Sequence, residues 1–233
     1  MKRNYWFDVT NCPELRIGQY LVPNFVSNSV ALEVEQGHWL LYSPGEPLLA
    51  DWQARFGQQV RELNIIVPNH YHYLGLDAWL EVYPGAKVFA SEKAIPRLIE
   101  KGVSAIQPIE RNAPKLPQGY VVKVPEGHRG GDVWLCKNGD SNVWITCDSF
   151  MNHARLSNQA VARALQRLLG TAPGLKISEV VKWLILDDRN SFKHWALRQL
   201  EACPPEVLIP SHGEVLLSEN LREQLESLLV ERL

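Results

Sequence analysis

The feature that most constrains this chain is the stretch IIVPNHYHYLGL at residues 65–76. Residues 65–67 form an apolar run of the strand type, which ends at Pro68, and His70 and His72 follow with one residue between them. In extended backbone, side chains two residues apart lie on the same side, so two imidazoles are predicted to leave the strand end together. Imidazole nitrogen is the commonest protein ligand for zinc-type ions. A short His-x-His pattern also fits two polar residues in a turn, so the rest of the chain has to decide.

Composition limits the class of protein. The chain has 233 residues, of which 45% are hydrophobic and 21% are charged, and its net charge is −2. These values are typical of a soluble globular protein long enough for one large domain or two small ones. Because there is no basic excess, no nucleic-acid partner is expected. No apolar run approaches the ~18 residues of a membrane span, so no membrane partner is expected either.

The cysteine pattern indicates the cellular compartment. Cys12, Cys136, Cys147 and Cys203 are far apart in sequence and form no C-x-x-C pair. This arrangement is typical of reduced thiols and not of a disulfide framework, so a cytoplasmic location is expected. The first 15 residues contain no apolar segment of the kind found in a secretory signal peptide, which agrees with that expectation.

Hydrophobic periodicity predicts strands and helices in alternation. Strands are predicted within residues 16–43 and at 65–67, 87–90, 120–124, 132–136, 142–147 and 207–209. Helices are predicted at 48–59, 76–82, 92–101, 157–169, 177–187, 190–202 and 217–231, with an irregular connector at 103–118. Such alternation predicts an α/β fold. Because no low-complexity linker divides the chain, we expect a single domain over residues 1–233, with two β-sheets face to face and helices outside.

Three further metal-capable side chains follow predicted strands. His128 lies in a glycine-rich turn between two strands, Asp148 stands at the end of the strand at 142–147, and His212 follows the strand at 207–209. Loops at strand ends are where rigid scaffolds present functional groups. Each of these residues alone has an ordinary structural explanation, but their recurrence at strand ends favours a common site.

The order of these residues resembles the metallo-β-lactamase fold over nearly the whole chain. That resemblance implies a four-layer αββα sandwich with metals at one edge between the sheets. It implies that His70, His72 and His128 are the three histidines of a first metal position. It also implies that Asp148 is the carboxylate bridging to a second metal and that His212 is a ligand of that second metal.

The sequence departs from the full motif of this superfamily, His-x-His-x-Asp-His. The last two places are Leu74 and Gly75, which cannot bind a metal. The acidic residue of the superfamily's early strand-end motif is also lost, with Ser43 or a neighbour in its place. Resemblance to a branch with a degenerate motif extends to three short stretches, residues 41–44, 67–69 and 83–86.

Ligand counts then predict at most one well-ligated ion. The first position keeps three imidazoles and an Asp148 oxygen, enough for a tetrahedral zinc or a mononuclear iron. The second position keeps only Asp148 and His212, too few for a tight site, so a two-metal mechanism is not expected. Cys147 is predicted to be a core residue pointing away from Asp148, because neighbours in a strand alternate in direction.

The leading hypothesis for function is therefore a metal-dependent hydrolase-like protein, a mononuclear metallohydrolase acting on a small-molecule substrate. Asp148 or His212, whichever does not bind the metal, is expected to be its proton acceptor. The superfamily acts on esters, thioesters, lactams and phosphodiesters, and the sequence does not choose among them.

Two other hypotheses stay open. The first is a non-catalytic descendant, without a metal or with a structural one, that binds a small molecule or a partner. Leu74 and Gly75 favour it, whereas the retention of five donor residues argues against it. The other is oxygen chemistry at a mononuclear iron, which needs few protein ligands. The sequence predicts no oligomeric state.

Overall fold

The computed structural model describes residues 4–9, 12–22 and 25–233. Its strands are β1 (Tyr5–Val9), β2 (Cys12–Val22), β3 (Phe25–Glu35), β4 (His38–Tyr42), β5 (Glu62–Ile66), β6 (Lys87–Ala90), β7 (Ile106–Pro108), β8 (Tyr120–Lys123), β9 (Trp134–Lys137), β10 (Val143–His153), β11 (Gly174–Lys176), β12 (Val207–Gly213) and β13 (Leu216–Leu217). Its α-helices are α1 (Leu49–Arg55), α2 (Leu76–Val82), α3 (Ile95–Glu100), α4 (Ala160–Leu168), α5 (Arg189–Ala202) and α6 (Leu221–Arg232). Within the described residues, no helix combines the length and apolar character needed to cross a bilayer.

Residue contacts divide the chain into two compact units. Unit 1 comprises Met1–Leu21 and Ser27–Tyr120, and unit 2 comprises Val22–Val26 and Val121–Leu233. The expectation of one domain over residues 1–233 stays a prediction.

Unit 1 is built from consecutive βαβ steps. Its strands lie in the order β7-β6-β5-β4-β3, and β2 and β1 continue beyond β3. The pairs β4–β5, β5–β6 and β6–β7 are parallel, and α1, α2 and α3 make the connections between them. Parallel pairing sets Tyr42 beside Ile66, so the segments that leave β4 and β5 begin at the same edge of the sheet. Loops at this edge carry the first group of candidate residues.

The core of unit 1 is a cluster of buried tryptophans. The ring of Trp52 lies 5.1 Å from Trp39, 5.2 Å from Trp6 and 5.6 Å from Trp79, in edge-to-face arrangements. Such contacts add to the free energy gained by burying the rings. The Trp79 indole N–H donates to the Gly45 carbonyl at 3.2 Å. The core therefore fixes the loop that follows β4.

Unit 2 also consists of a β-sheet with helices packed on it. Its strands lie in the order β12-β10-β9-β8, with β11 on β10 and β13 on β12. β10 pairs antiparallel with β9 and parallel with β12. Apolar residues of α5 and α6 pack on the sheet in one buried cluster: Trp134, Trp144, Phe150, Phe192, Trp195, Ala196, Leu200, Leu221, Leu225 and Leu229.

Several predicted elements differ from the observed ones. The predicted helix at 177–187 is a shorter helical segment whose part at Val181–Ile185 is a π-helix. The backbone becomes extended at Leu186, and the Ile185 carbonyl accepts from Arg129 N at 2.7 Å. The predicted irregular connector at 103–118 contains a short strand, β7, added to the parallel sheet.

Candidate functional site

The two histidines after β5 lie in a turn. The Asn69 side-chain oxygen accepts from Tyr71 N at 2.8 Å and from His72 N at 3.2 Å, which closes the chain on itself directly after Pro68. The prediction that His70 and His72 leave the strand in extended backbone is therefore wrong. The strand signal ends at the proline, and the asparagine side chain then supplies the hydrogen bonds that a continued strand would have made.

His72 is held by Ser43, the residue that follows β4. Ser43 Oγ lies 2.9 Å from His72 Nδ1, and Ser43 N donates to the Ile66 carbonyl at 3.0 Å. Ser43 has φ +57°, a left-handed conformation that is unusual for residues other than glycine and is often found at functional sites. Because Ser43 engages Nδ1, Nε2 is the nitrogen of His72 that would coordinate an ion.

Gly75 has no room for a side chain. A Cβ built on it would lie 2.2 Å from the Pro44 carbonyl oxygen and 2.6 Å from Glu46 N, both backbone atoms. Its φ is −89°, which any residue can adopt, so the glycine is required by this close approach and not by conformation. The adjacent Leu74 is 79% exposed and turns its side chain toward solvent.

Asp148 lies in a wide bulge inside β10. The parallel pairing of β10 and β12 runs to Thr146 opposite Pro210 and resumes at Met151 opposite His212. Four residues of β10, 147–150, thus lie opposite one residue of β12. The prediction that the strand ends before Asp148 is wrong, since β10 continues to His153. The regular pairing with β12 does stop at Thr146, before Asp148. A bulge of this kind changes the direction in which side chains point.

The bulge brings Asp148 and His212 together. His212 Nε2 lies 3.0 Å from Asp148 Oδ1. The close approach of β12 to β10 needs Gly213, which has φ +101° and whose Cβ would lie 2.0 Å from the Asn152 carbonyl oxygen. These two predicted site residues of unit 2 are thus in direct contact, although 64 positions separate them in sequence.

Cys147 departs from its predicted orientation. It is fully buried, as expected of a core residue, but its Sγ and an Asp148 carboxylate oxygen lie within 4.8 Å of each other. The bulge interrupts the alternation of side chains on which the prediction depended. Burial raises the pKa of the Cys147 thiol well above its usual range, and the carboxylates of Asp148 and Asp132 raise it further. The thiol is therefore neutral near pH 7, and coordination to an ion requires loss of its proton.

His128 faces an acidic residue that the sequence did not single out. Its Nε2 lies 3.0 Å from Asp132 Oδ2, and its Nδ1 accepts from Asp132 N at 3.3 Å. Ser149 Oγ donates to the same carboxylate at 2.8 Å and accepts from Trp134 Nε1 at 3.2 Å. All four residues are buried. The sequence feature that could have indicated this contact is Asp132 itself, an acidic residue directly after two glycines and four positions beyond His128.

The imidazole of His128 and the carboxylate of Asp132 lie close together, but the hydrogen bond between them is poorly aligned. His128 Nε2 has no well-aligned hydrogen-bond partner, even though the Asp132 oxygen is only 3.0 Å away. In a low-dielectric interior, two polar groups at this distance still attract each other electrostatically. His128 is thus positioned by unit 2 as a partner of Asp132.

His153 lies at the end of β10, three residues beyond the end of the bulge. Burial and then the neighbouring His212 lower its pKa, and Glu214 acts in the opposite direction. The lowered pKa favours the neutral form of His153 near pH 7.

Comparisons with known proteins give the fold. A metallo-β-lactamase from Pontibacter korlensis superposes with a TM-score of 0.63 at 14% identity, covering 97% of this chain and 99% of that one. A protein described as diflavin flavoprotein A 5 from Nostoc sp. PCC 7120 gives 0.65 at 14% identity, covering 99% and 98%. The chain has the metallo-β-lactamase fold. A flavo di-iron protein from Thermotoga maritima gives 0.61 at 13% identity, covering 97% of this chain and 61% of that one.

The metallo-β-lactamase fold confirms the predicted α/β class and the αββα sandwich type. No protein-family model matches the sequence, and no curated protein matches it either. At 13–14% identity the similarity shows the fold alone, and this fold is that of metal-dependent hydrolase-like proteins. The ligand set of His70, His72, His128 and Asp148, and the catalytic roles of Asp148 and His212, stay predictions.

Cysteine reactivity tests the burial of the bulge. We expect iodoacetamide at about pH 8 to modify only Cys203 in the native protein, because Cys12, Cys136 and Cys147 are buried. Burial also raises the pKa of Cys136, to about 12, and that of Cys203, so labelling at Cys203 should be slow. Intact-mass spectrometry before and after unfolding in urea measures this. Rapid labelling of Cys147 in the native protein would contradict the burial described for the bulge.

Proposed function

We propose that this chain is a metal-dependent hydrolase-like protein that holds at most one well-ligated ion, zinc or iron. The observation that carries the limit to one ion is the contact at Gly75, where the Pro44 carbonyl oxygen lies 2.2 Å from the place of a Cβ. A histidine at this position has no room, and Leu74 beside it has no donor atom. Both positions that would complete a second ion's ligand set are therefore lost.

The proposed ligands of the ion are His70, His72, His128 and Asp148. The hydrogen bond from Ser43 to His72 Nδ1 supports the proposal, because ligating histidines commonly have their second nitrogen fixed in this way. These donor types suit zinc or iron.

His128 fits the ligand set least well. Its Nε2 faces Asp132 at 3.0 Å, so coordination through this atom would require the carboxylate to release it. This contact favours a second candidate function, a non-catalytic protein that binds a small molecule or a partner without a metal. In that case the buried pair of His128 and Asp132 has a purely structural role.

The chemistry proposed for the site is hydrolysis of a small-molecule ester, thioester, lactam or phosphodiester. A bound ion would polarise a carbonyl or phosphoryl oxygen, or lower the pKa of a bound water toward ~7. His212 and Asp148 are the proposed proton acceptors. They lie 3.0 Å apart. Asp148 fixes the orientation of the His212 imidazole, as a carboxylate does for a general-base histidine.

Elemental analysis of the purified and reconstituted protein tests this proposal. We expect about one equivalent of zinc or iron per chain. His72→Ala and Asp148→Asn should each weaken metal affinity at least ~10-fold, the loss typical of removing a residue that ligates or orients. Inductively coupled plasma mass spectrometry after dialysis against a weak chelator gives the metal content of each protein.

Two surface histidines provide matched controls. His38 is half-exposed beside Glu35 and His194 is exposed on α5, so His38→Ala and His194→Ala should keep the full metal content. Two tightly bound equivalents would overturn the limit to one ion. No metal after reconstitution, in a protein with an unchanged thermal transition, would overturn the hydrolase proposal and leave the non-catalytic candidate.

A further inference from the structure

Strand β3 of unit 1 carries three consecutive polar residues that are buried. Ser27 and Asn28 are each 2% exposed, and Ser29 is fully buried. A hydroxyl group that is buried without a hydrogen-bond partner destabilises a protein, so a serine inside a buried strand needs one. The partners of Ser29 therefore show what its hydroxyl group does.

The hydroxyl group of Ser29 binds the loop after β4 at two points. Its Oγ donates to the Ser43 carbonyl and accepts from Gly45 N at 3.1 Å. The pairing of β3 with β4 reaches Val30 opposite Tyr42. Ser29 and Ser43 would form the next pair if β4 continued, but β4 ends at Tyr42. The Ser29 side chain thus meets the Ser43 carbonyl at the place where the two strands separate.

Ser43 is held on both sides of its Cα atom. Its N donates to the Ile66 carbonyl at 3.0 Å, and its own carbonyl accepts from Ser29 Oγ. These two hydrogen bonds restrain the peptide planes that flank Ser43, which stabilises its left-handed backbone at φ +57°. Because both planes are restrained, the direction of the Cα–Cβ bond is restrained too. That direction places Ser43 Oγ 2.9 Å from His72 Nδ1.

We propose that Ser29 is a positioning residue for His72 and that it acts through Ser43. Loss of the Ser29 hydroxyl group removes a partner of the Ser43 carbonyl and of Gly45 N, so the loop can relax toward an ordinary backbone conformation. Ser43 Oγ then moves away from His72 Nδ1, and the imidazole loses the contact that orients it.

The orientation of this ring is a property of the metal-free protein. Its importance for metal binding rests on the proposed role of His72 as a ligand. The two statements can be tested separately, the first without any metal and the second with zinc.

The imidazole signals of His72 in the metal-free protein test the orientation. At about pH 8.5, where an ordinary imidazole is neutral, a long-range proton–nitrogen correlation spectrum of isotope-labelled histidine shows Nδ1 and Nε2 of each ring. His72→Gln assigns the signals by their loss. We expect Ser29→Ala and Ser43→Ala to shift the His72 Nδ1 signal in the same direction, because both remove the same hydrogen bond from the ring. In the Ser43→Ala background, Ser29→Ala should add no further shift.

Ser178→Ala is the matched control. Ser178 of unit 2 is also fully buried, and its Oγ accepts from Val181 N at 3.2 Å. This substitution should lower stability as the loss of a buried hydrogen bond does, yet leave the His72 signals at their parent positions. Ser29→Cys keeps a side chain of similar size with a much weaker donor, so it provides the same test if Ser29→Ala does not fold.

Metal affinity measures the consequence for the proposed site. Ser29→Ala and Ser43→Ala should each bind zinc at least ~10-fold more weakly than the parent protein. Because Ser29 acts through Ser43, the double variant should bind zinc no more weakly than Ser43→Ala alone. Competition with a chromogenic chelator gives the three dissociation constants.

Three results in the metal-free protein would overturn the proposal. The first is a His72 Nδ1 signal that Ser29→Ala leaves unchanged. The second is an equal shift in Ser178→Ala, and the third is an undiminished further shift when Ser29→Ala is added to Ser43→Ala. A parent protein that binds no zinc or iron would instead overturn the proposed function, and the signals of the metal-free protein would still decide whether Ser29 positions His72.

Discussion

Gly75→Ala is expected to lower the stability of this protein much more than any substitution at the adjacent Leu74. The added methyl group would lie 2.2 Å from the Pro44 carbonyl oxygen and 2.6 Å from Glu46 N. These are backbone atoms, which cannot rotate away as a flexible side chain does. Overpacking of this kind costs about 1–3 kcal/mol, so unfolding in urea should shift clearly to lower concentration.

The loop that meets Gly75 cannot easily move aside. The Gly45 carbonyl accepts from Trp79 Nε1 at 3.2 Å, and Gly45 N donates to Ser29 Oγ at 3.1 Å. Ser29 Oγ also donates to the Ser43 carbonyl. Relief of the clash would therefore break contacts of the buried core, and Gly75→His should lose more stability than Gly75→Ala.

Leu74→Asp is the matched control for this prediction. Leu74 is largely exposed, so the change should alter the free energy of unfolding by no more than ~0.5 kcal/mol. Leu74→Asp/Gly75→His restores the superfamily motif in sequence, yet we expect it to gain no second metal equivalent. A Gly75→Ala protein as stable as the parent would show that the loop is free to relax, and the limit to one ion would lose its structural basis.

The parts of the fold that sequence predicted are those with a strong local pattern. Short apolar runs such as 65–67 and 87–90 predicted β5 and β6, and periodicity predicted α2 at its observed bounds. The same locality explains the errors. Nothing in the run before Cys147 indicates that β10 continues through a bulge, because the bulge depends on pairing with β12, which lies more than 50 positions away.

The candidate site shows the same division between local and distant information. Residue type and position at strand ends were enough to select Asp148 and His212, which are in contact. The turn at His70 and His72 was missed because it depends on the side chain of Asn69, a residue that fits several backbone conformations. The contact of His128 with Asp132 was missed because its strength comes from burial. The glycine-rich sequence around His128 does not indicate that the two side chains are buried.

Asp132→Ala is expected to destabilise unit 2 strongly. The carboxylate faces His128 Nε2 at 3.0 Å and accepts from Ser149 Oγ at 2.8 Å, and both partners are buried. Removal of one member of a buried polar cluster leaves the others without a partner in a low-dielectric interior, at a cost of about 3–5 kcal/mol. Urea unfolding monitored by near-ultraviolet circular dichroism, which reports on the packing of the buried aromatic residues, measures the loss.

Ser149→Ala tests whether Asp132 and Ser149 stabilise unit 2 together. That substitution removes one donor to Asp132 and the acceptor of Trp134 Nε1, so it should cost about 1–3 kcal/mol. Because the two residues share a hydrogen bond, the double variant should lose less stability than the two single losses combined, with a coupling of about 0.5–3 kcal/mol. Additive losses, or an Asp132→Ala protein within ~0.5 kcal/mol of the parent, would contradict the cluster. A loss of the expected size would show that unit 2 holds the imidazole of His128 through the Asp132 carboxylate.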